Sequence, residues 1–286
     1  MLVSLSNMLK EATRNHYAVG AFNIGNKDIM EAIIQAAEDE QCPAIIECAV
    51  PELRYLGKDF IPYVRKRLEA SPIPFVLHLD HGSDIEVIKE AIDAGFNSVM
   101  IDASSKPFEE NVAITKEVVS YAYAHDVCVE GELGTIGNTL SSSCGDGLDT
   151  TIIYTEPAKA KEFCERTGVD ALAVAIGTSH GMYAHGQTPK LRMNILDEIH
   201  KVCTTSLVLH GGSGNADEEI VEAIKHGIAK INISSEVKEA YFHAILKYMQ
   251  EHPFEVKTQV IFAPAQKAAY DMVVAKMRLF KDACNS

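Results

Sequence analysis

Positive charge is scarce in this chain. Lysine and arginine number 26 against 40 aspartates and glutamates, a formal net charge of −14. A nucleic-acid partner needs a basic face to meet the phosphate backbone, so none is expected. An anionic ligand would need backbone N–H groups, a metal or single basic residues. The seven cysteines are odd in number and scattered, with no Cys-x-x-Cys pair. That argues against a disulfide framework and for a reducing compartment, the cytoplasm. No apolar run reaches the length that crosses a bilayer, so no membrane partner is expected. Met1-Leu2-Val3-Ser4-Leu5 has no basic segment followed by an apolar core, so no secretory leader is expected. Internal repeats and low-complexity tracts are also missing. With 47% hydrophobic residues in 286, the chain can bury one large core, and a single domain over residues 1–286 is expected.

Strand-like and helix-like segments alternate throughout. The predicted pairs are Ala18–Ile24 with Lys27–Gln41, Ala44–Val50 with Phe60–Ala70, Phe75–His81 with Asp84–Ala94, and Ser98–Ala103 with Phe108–His125. They continue with Val127–Leu133 and Glu156–Thr167, Ala171–Gly177 and Leu191–Val202, Leu207–His210 and Ala216–His226, and Lys230–Ser234 and Glu236–Gln250. The strands are rich in Val and Ile, as buried parallel strands are. Ser83-Asp84 and Asn215-Ala216 read as helix starts, and Gly95, Gly168 and Gly227 as helix ends. Eight such pairs predict an α/β fold of the (β/α)8 TIM-barrel type, with an appended helical tail beyond Glu251. The one long connection, Gly134–Thr155, reads as a lid.

Three histidines stand where predicted strands stop: His81 in His78-Leu79-Asp80-His81-Gly82, His180 in Gly177-Thr178-Ser179-His180-Gly181, and His210 in His210-Gly211-Gly212-Ser213-Gly214. Neutral imidazoles suit a borderline metal such as zinc, and three ligands leave a position open for substrate. The C-terminal strand ends are where barrel enzymes place their active sites. A regular strand would point Asp80 and His81 to opposite faces. Both reach one site only if the strand turns there, and Gly82 is the expected turning point. Asp102 and Glu132 are acids in apolar surroundings, costly unless paired or near a metal. Glu130 lies on the same rim, and His78 reads as a group that orients Asp80 or the ligands from behind. Gly211–Gly214 and Asn232-Ile233-Ser234-Ser235 follow strands seven and eight, the usual phosphate site of this fold. The other histidines, His16, His125, His185, His200, His226, His243 and His252, read as ordinary hydrogen-bonded or surface groups.

With these motifs the chain resembles the class II, zinc-dependent ketose-bisphosphate aldolases, which include fructose- and tagatose-bisphosphate aldolases. The resemblance runs from Tyr17-Ala18-Val19-Gly20-Ala21-Phe22-Asn23 to Lys230-Ile231-Asn232-Ile233. Its other marks are the three histidine motifs, Ser98-Val99-Met100-Ile101-Asp102-Ala103-Ser104 and Val129-Glu130-Gly131-Glu132-Leu133-Gly134. The resemblance implies a metal-dependent lyase that cleaves a ketose 1-phosphate or bisphosphate to dihydroxyacetone phosphate and an aldehyde. It implies Zn2+ on His81, His180 and His210, and Asp80 as the residue that moves the C4-hydroxyl proton. Asp102 and Glu132 would hold the metal in alternative positions. Gly181, Gly211, Ser213, Asn232, Ser234 and Ser235 would form the phosphate site, whose carbonyls hold a monovalent cation (Na+ or K+) in some members. A sugar-phosphate substrate and a homo-oligomer, dimer or tetramer, are expected. No Schiff-base lysine is needed, and none is evident in a predicted barrel strand.

Two segments depart from the family pattern. Many members carry Gly-Gly-Glu-Asp after strand five, where this chain has Gly137-Asn138-Thr139-Leu140, with acids only at Asp146 and Asp149. Many also carry an Asp-Pro-Arg near the C-terminus, where this chain reads Glu255-Val256-Lys257-Thr258-Gln259-Val260-Ile261. The half that would hold dihydroxyacetone phosphate is intact, and the aldehyde half is altered. The aldehyde is therefore expected to be an unphosphorylated aldose. Arg54 is the one basic residue considered as a substitute, although a solvated loop arginine is the plainer reading. The alternatives are a conventional fructose- or tagatose-1,6-bisphosphate aldolase, a non-catalytic aldolase-supporting subunit, and a sugar-phosphate epimerase on the same fold.

Overall fold

A computed structural model describes residues 1–138, 151–183 and 190–283. The expected barrel is present. Its strands are β1 (Val19–Asn23), β2 (Ala44–Ala49), β3 (Phe75–Gly82), β4 (Ser98–Ile101), β5 (Cys128–Leu133), β6 (Ala171–Val174), β7 (Ser206–Leu209) and β8 (Ile228–Ile233). They close in chain order, β8 pairing with β1, and every neighbouring pair is parallel. A closed parallel barrel has no free edge and must be covered outside, so the strands are buried on both faces.

The helices are α1 (Leu5–Asn15), α2 (Lys27–Glu40), α3 (Val50–Leu56), α4 (Phe60–Glu69), α5 (Ile85–Ala94), α6 (Phe108–Tyr123), α7 (Pro157–Thr167), α8 (Met193–Val202), α9 (Asp217–Lys225), α10 (Ser235–Glu251) and α11 (Thr258–Asp282). Two of them were not predicted. The seven-residue α3 sits in what reads as a loop, with Pro51 in its first turn and the Glu52 carboxylate accepting Ala49 N at 3.2 Å. The other, α1, carries Leu5, Met8, Leu9 and Ala12 on one face and packs them against Val19, Ala21, Ile45, Val76 and Val208 inside the barrel. It closes the N-terminal end of the barrel, so the cavity opens only toward the C-terminal strand ends.

Asp84 caps α5 as expected, accepting from Glu86 N and Val87 N, both at 3.0 Å. Asn215 does not cap α9. Its side-chain amide is spent on the Gly211 carbonyl at 2.7 Å, and the N-cap position belongs to Ala216 with no side-chain bond. The tail forms α11, whose Phe280 is buried and whose carbonyl accepts Ala18 N at the start of β1.

The long connection after β5 is tied at both ends. Gly137–Asn138 pairs with Ser179–His180 as a short parallel ribbon. Thr135 and Ile153 exchange backbone bonds at 2.9 and 3.0 Å, and the Thr155 hydroxyl donates to the Leu133 carbonyl. Thr139, Leu140, Asp146, Asp149 and His185 lie outside the described residues.

Candidate active site and metal centre

Inward-facing residues change character up the barrel. Around α1 they are apolar. Above that lie Glu47 (β2), His78 (β3), Ser98 (β4), Glu130 (β5) and Lys230 (β8), each fully buried. Above these, at the C-terminal ends, come Asn23, Asp80, Glu132, His210 and Asn232, also buried. The alternation of a strand explains the spacing: Asn23 and Glu47 are register partners, as are Glu47 and His78, and Lys230 and Asn232 are two residues apart.

The turn that brings Asp80 and His81 together is real, but it falls on His81 rather than Gly82. His81 has φ 51°, a left-handed conformation that costs a non-glycine residue about 1–2 kcal/mol. The β3–β4 register slips between Leu79 and Gly82 at the same point. Gly82 serves a different need: a Cβ there would lie 2.6 Å from the Met100 carbonyl oxygen.

The three predicted histidines converge. His81 and His180 ring centroids are 4.8 Å apart, His81 and His210 4.8 Å, and His180 and His210 6.1 Å. One ring nitrogen from each lies within 4.8 Å of the others. Two of the rings have tautomers that follow from their neighbours. His81 Nδ1 bonds Asp102 Oδ2 at 3.0 Å, and His210 Nε2 bonds Glu130 Oε1 at 2.7 Å. A carboxylate accepts, so these nitrogens carry the protons and leave His81 Nε2 and His210 Nδ1 with lone pairs. His210 Nδ1 is buried with no hydrogen-bond partner. Burial, with the neighbouring imidazoles, pushes His180 down to about 3, and burial also lowers His210 although Glu130 pulls the other way. Neutral, convergent imidazole nitrogens are what a divalent cation needs. Among the described residues, His81, Asp102 and Glu132 form a second possible group within 4.8 Å. Glu132 Oε2 has no hydrogen-bond partner and stands 3.5 Å from His210 Nδ1. Burial, then the charge of Asp102, raises its carboxyl well above the usual range.

Asp80 is held from both sides. Asn23 Nδ2 donates to Oδ2 at 2.9 Å and Asn232 Nδ2 to Oδ1 at 3.2 Å. Burial alone would raise its carboxyl. The His81 and His210 imidazoles, the Lys230 ammonium and the Asn23 amide outweigh that and hold it at about 2. Its nearest oxygen is 3.8 Å from His81 Nε2.

Gly211 turns with φ 63°, and a Cβ there would lie 2.5 Å from the Ser179 carbonyl oxygen. That close approach joins the loops after β6 and β7. The Ser213 hydroxyl accepts Ser234 N at 3.2 Å and Glu236 N at 3.4 Å, at the start of α10. Asp80, His81, His180, Gly181, Gly211, Ser213, Asn232, Ser234 and Ser235 line one cavity together with Asn23. His210 completes the histidine cluster, and Asp102 and Glu132 lie against it.

Several residues at the site were missed by sequence reading. Asn23 is one. A barrel-strand lysine is another: Lys230, in β8, is fully buried with Nζ 2.7 Å from Glu47 and 3.0 Å from Glu130. Burial disfavours its charge, but the two glutamates prevail and raise it above its ordinary value. A lysine held as ammonium has no lone pair for a Schiff base. The missed signal was in plain view, because Glu47 and Lys230 stand inside apolar strands where an unpaired charge is costly. His78 Nδ1 lies 2.8 Å from Ser98 Oγ, and its Nε2 stands 3.6 Å from Glu130 without a hydrogen bond. Arg54 is a surface residue paired with Glu90 at 2.5 Å, both side chains more than half exposed.

The chain is similar to known proteins over its whole length. The profile described as "Fructose-bisphosphate aldolase class-II" matches residues 3–284. The fructose-bisphosphate aldolase of Geobacillus stearothermophilus is 43% identical over 98% of this chain and 96% of its own. That of Giardia intestinalis is 40% identical over 99% and 94%. Among solved structures, the YdjI aldolase of Escherichia coli K12 superposes with a TM-score of 0.86 at 35% identity, covering 98% of this chain and 97% of its own.

Proposed function

The chain belongs to the class II fructose-bisphosphate aldolase family and is a lyase that splits a ketose phosphate to dihydroxyacetone phosphate and an aldehyde; from that premise we propose how its residues divide the work. His81, His180 and His210 hold a divalent cation, which is zinc. When bound, it supplies Lewis-acid polarisation of the substrate carbonyl. The observation that carries this reading is three convergent imidazoles beside a carboxylate bonded by two amides.

Asp80 takes the C4-hydroxyl proton as the C3–C4 bond breaks. It is ionised throughout the neutral range. Asn23 and Asn232 fix its oxygens, so its aim does not depend on the substrate. Asp102 and Glu132 serve first to orient and balance the cluster, and offer alternative ligand atoms next to His81. The phosphate of dihydroxyacetone phosphate sits against Gly181, Gly211, Ser213, Asn232, Ser234 and Ser235, where the N-terminus of the 17-residue α10 favours an anion. A Na+ or K+ beside it would share loop carbonyls; that of Gly211 already accepts the Asn215 amide. The acid–base group for the dihydroxyacetone carbon is Asp146 or Asp149. The whole chain, residues 1–286, works as one barrel domain in the cytoplasm, and assembles as a dimer or tetramer. Phe242 and Leu246 on α10 and Phe254 and Val256 after it are exposed and suited to a subunit contact.

The aldehyde is an unphosphorylated aldose. In support, no lysine or arginine among the described residues lines the cavity. Arg54 is committed to Glu90, and Lys238, in the first turn of α10, to Glu52. A conventional bisphosphate substrate is the second reading, favoured by the names of the relatives above. Condensation kinetics decide between them. Comparable kcat/KM with glyceraldehyde 3-phosphate and unphosphorylated aldoses supports the first reading. A preference of several hundredfold for the phosphorylated aldehyde establishes the second.

A further inference from the structure

We propose that Lys230 is a positioning residue that aligns the base and one metal ligand together, through Asn232 to Asp80 and through Glu130 to His210. The inference rests on the roles of Asp80 and His210 argued above.

Lys230 presents three N–H donors and no acceptor. Its Nζ lies 2.7 Å from Asn232 Oδ1, 2.7 Å from Glu47 Oε1 and 3.0 Å from Glu130 Oε2. The Asn232 contact is a hydrogen bond, and the two glutamate oxygens are ion-pair contacts with no hydrogen-bond partner. An isolated carboxamide could turn either end toward Asp80. Here it cannot, because the ammonium accepts nothing and demands the oxygen. The NH2 end of Asn232 is thereby turned to Asp80 Oδ1 at 3.2 Å. Were the amide reversed, two oxygens would face each other in a buried site, and Asp80 would swing away from its aim.

The second arm runs through Glu130. One of its oxygens is 3.0 Å from Lys230 and the other 2.7 Å from His210 Nε2. Held between the ammonium and the ring, the Glu130 side chain accepts the His210 Nε2–H. Nδ1 is then the nitrogen turned to the cluster. Packing alone would not call for such a group. The layer below is filled by Val19, Ala21, Ile45, Val76 and Val208, and buried ion pairs are often no more stabilising than apolar side chains of similar size. What the ion cluster adds is orientation.

The test reads kcat and KM of the zinc-saturated enzyme, zinc affinity by chelator competition, and thermal melting. In Lys230→Met, kcat should fall ~100-fold with KM within ~3-fold, and zinc affinity should drop about 10–100-fold, the usual cost of losing support behind a ligand. Lys230→Arg keeps the charge, so zinc affinity should recover to within ~10-fold. Its kcat should stay low, since a planar guanidinium does not reproduce the ammonium contacts. In an Asn232→Ala background, Lys230→Met should cost no further kcat, because both changes break one arm. The arms are also tested without touching Lys230. Glu130→Gln should weaken zinc binding far more than it lowers kcat at saturation, and Asn232→Ala should lower kcat far more than it weakens zinc binding. If Lys230→Met does not fold, Lys230→Arg and this split decide. Native kcat and zinc affinity in Lys230→Arg, or both single variants losing both properties alike, would overturn the inference. Asp80→Asn separates the two levels. If it keeps native kcat, the underlying reading of the base fails. If it abolishes kcat while the Lys230 variants behave as native, only the positioning role fails.

Discussion

Asn232 and Asp80 lie on strands far apart in sequence, yet the amide of one is 3.2 Å from the carboxylate of the other. Closure of the barrel makes this possible. β8 pairs with β1 and β1 with β2, which pairs with β3, so the first and last strands flank the same side of the cavity. Asn23 on β1 completes the clamp at 2.9 Å. A carboxylate gripped by two amides is aimed before substrate arrives, which favours its work in the transition state.

Asp80→Asn should therefore act on chemistry rather than binding. General-base loss typically costs ~10²–10⁴-fold, and it should appear in kcat with KM little changed. The check is steady-state cleavage with zinc content measured in the same preparation. A near-native kcat with metal bound removes Asp80 from its assigned role.

Metal removal should abolish activity and lower stability together. A ligand bound only by the folded state stabilises by mass action, about 2.7 kcal/mol at one hundred times its dissociation constant. Melting and cleavage should both fall on chelation and both return on adding zinc. Full activity in metal-free protein, or trapping of substrate by borohydride, refutes the metal mechanism.

Gly211→Ala probes the phosphate loop. The added Cβ would meet the Ser179 carbonyl oxygen at 2.5 Å in a backbone with φ 63°. The left-handed conformation alone costs about 1–2 kcal/mol, and the loops after β6 and β7 must part. Dihydroxyacetone phosphate binding should weaken at least ~10-fold, measured by calorimetry on the zinc enzyme. Unchanged binding would place the phosphate elsewhere.

Glu47→Gln tests the ion cluster through pH. One ammonium faces two carboxylates. Against its burial, the Lys230 charge and then the His210 ring N–H hold Glu130 below its ordinary range, while burial, against the pull of Lys230, pushes Glu47 up to about 8 from an ordinary 4.5. Between those values folding takes up a proton at Glu47, so its contribution to stability falls as pH rises through that window. The slope is on the order of 1 kcal/mol per pH unit. Glutamine is neutral throughout and lacks that slope. The stability of Glu47→Gln relative to the native chain should thus improve from pH 5 to pH 8 in urea titrations. A change of the opposite sign would mean Glu47 is ionised in the fold.

The sequence by itself determined the barrel, because eight apolar strands alternating with amphipathic helices have few other ways to bury both faces. It also pointed to three histidines that converge. His81 lies at the end of β3, His210 directly after β7 and His180 in the connection after β6, and parallel strands in a closed barrel bring such ends to one rim. Asp80 was legible for the same reason. Local chemistry did not reveal which residue would bend β3, because the turn at His81 goes with a register slip against β4 that only the pairing of the two strands shows. Nor could it distinguish Asn215 as a helix cap from Asn215 as a partner of Gly211, since both uses need the same side chain. The layer of Glu47, His78, Glu130 and Lys230 was decided only by tertiary structure. Each is a costly buried group when its strand is read alone, and only closure of the barrel sets an ammonium from β8 against acids from β2 and β5, where the charge of Glu130 offsets the loss of water.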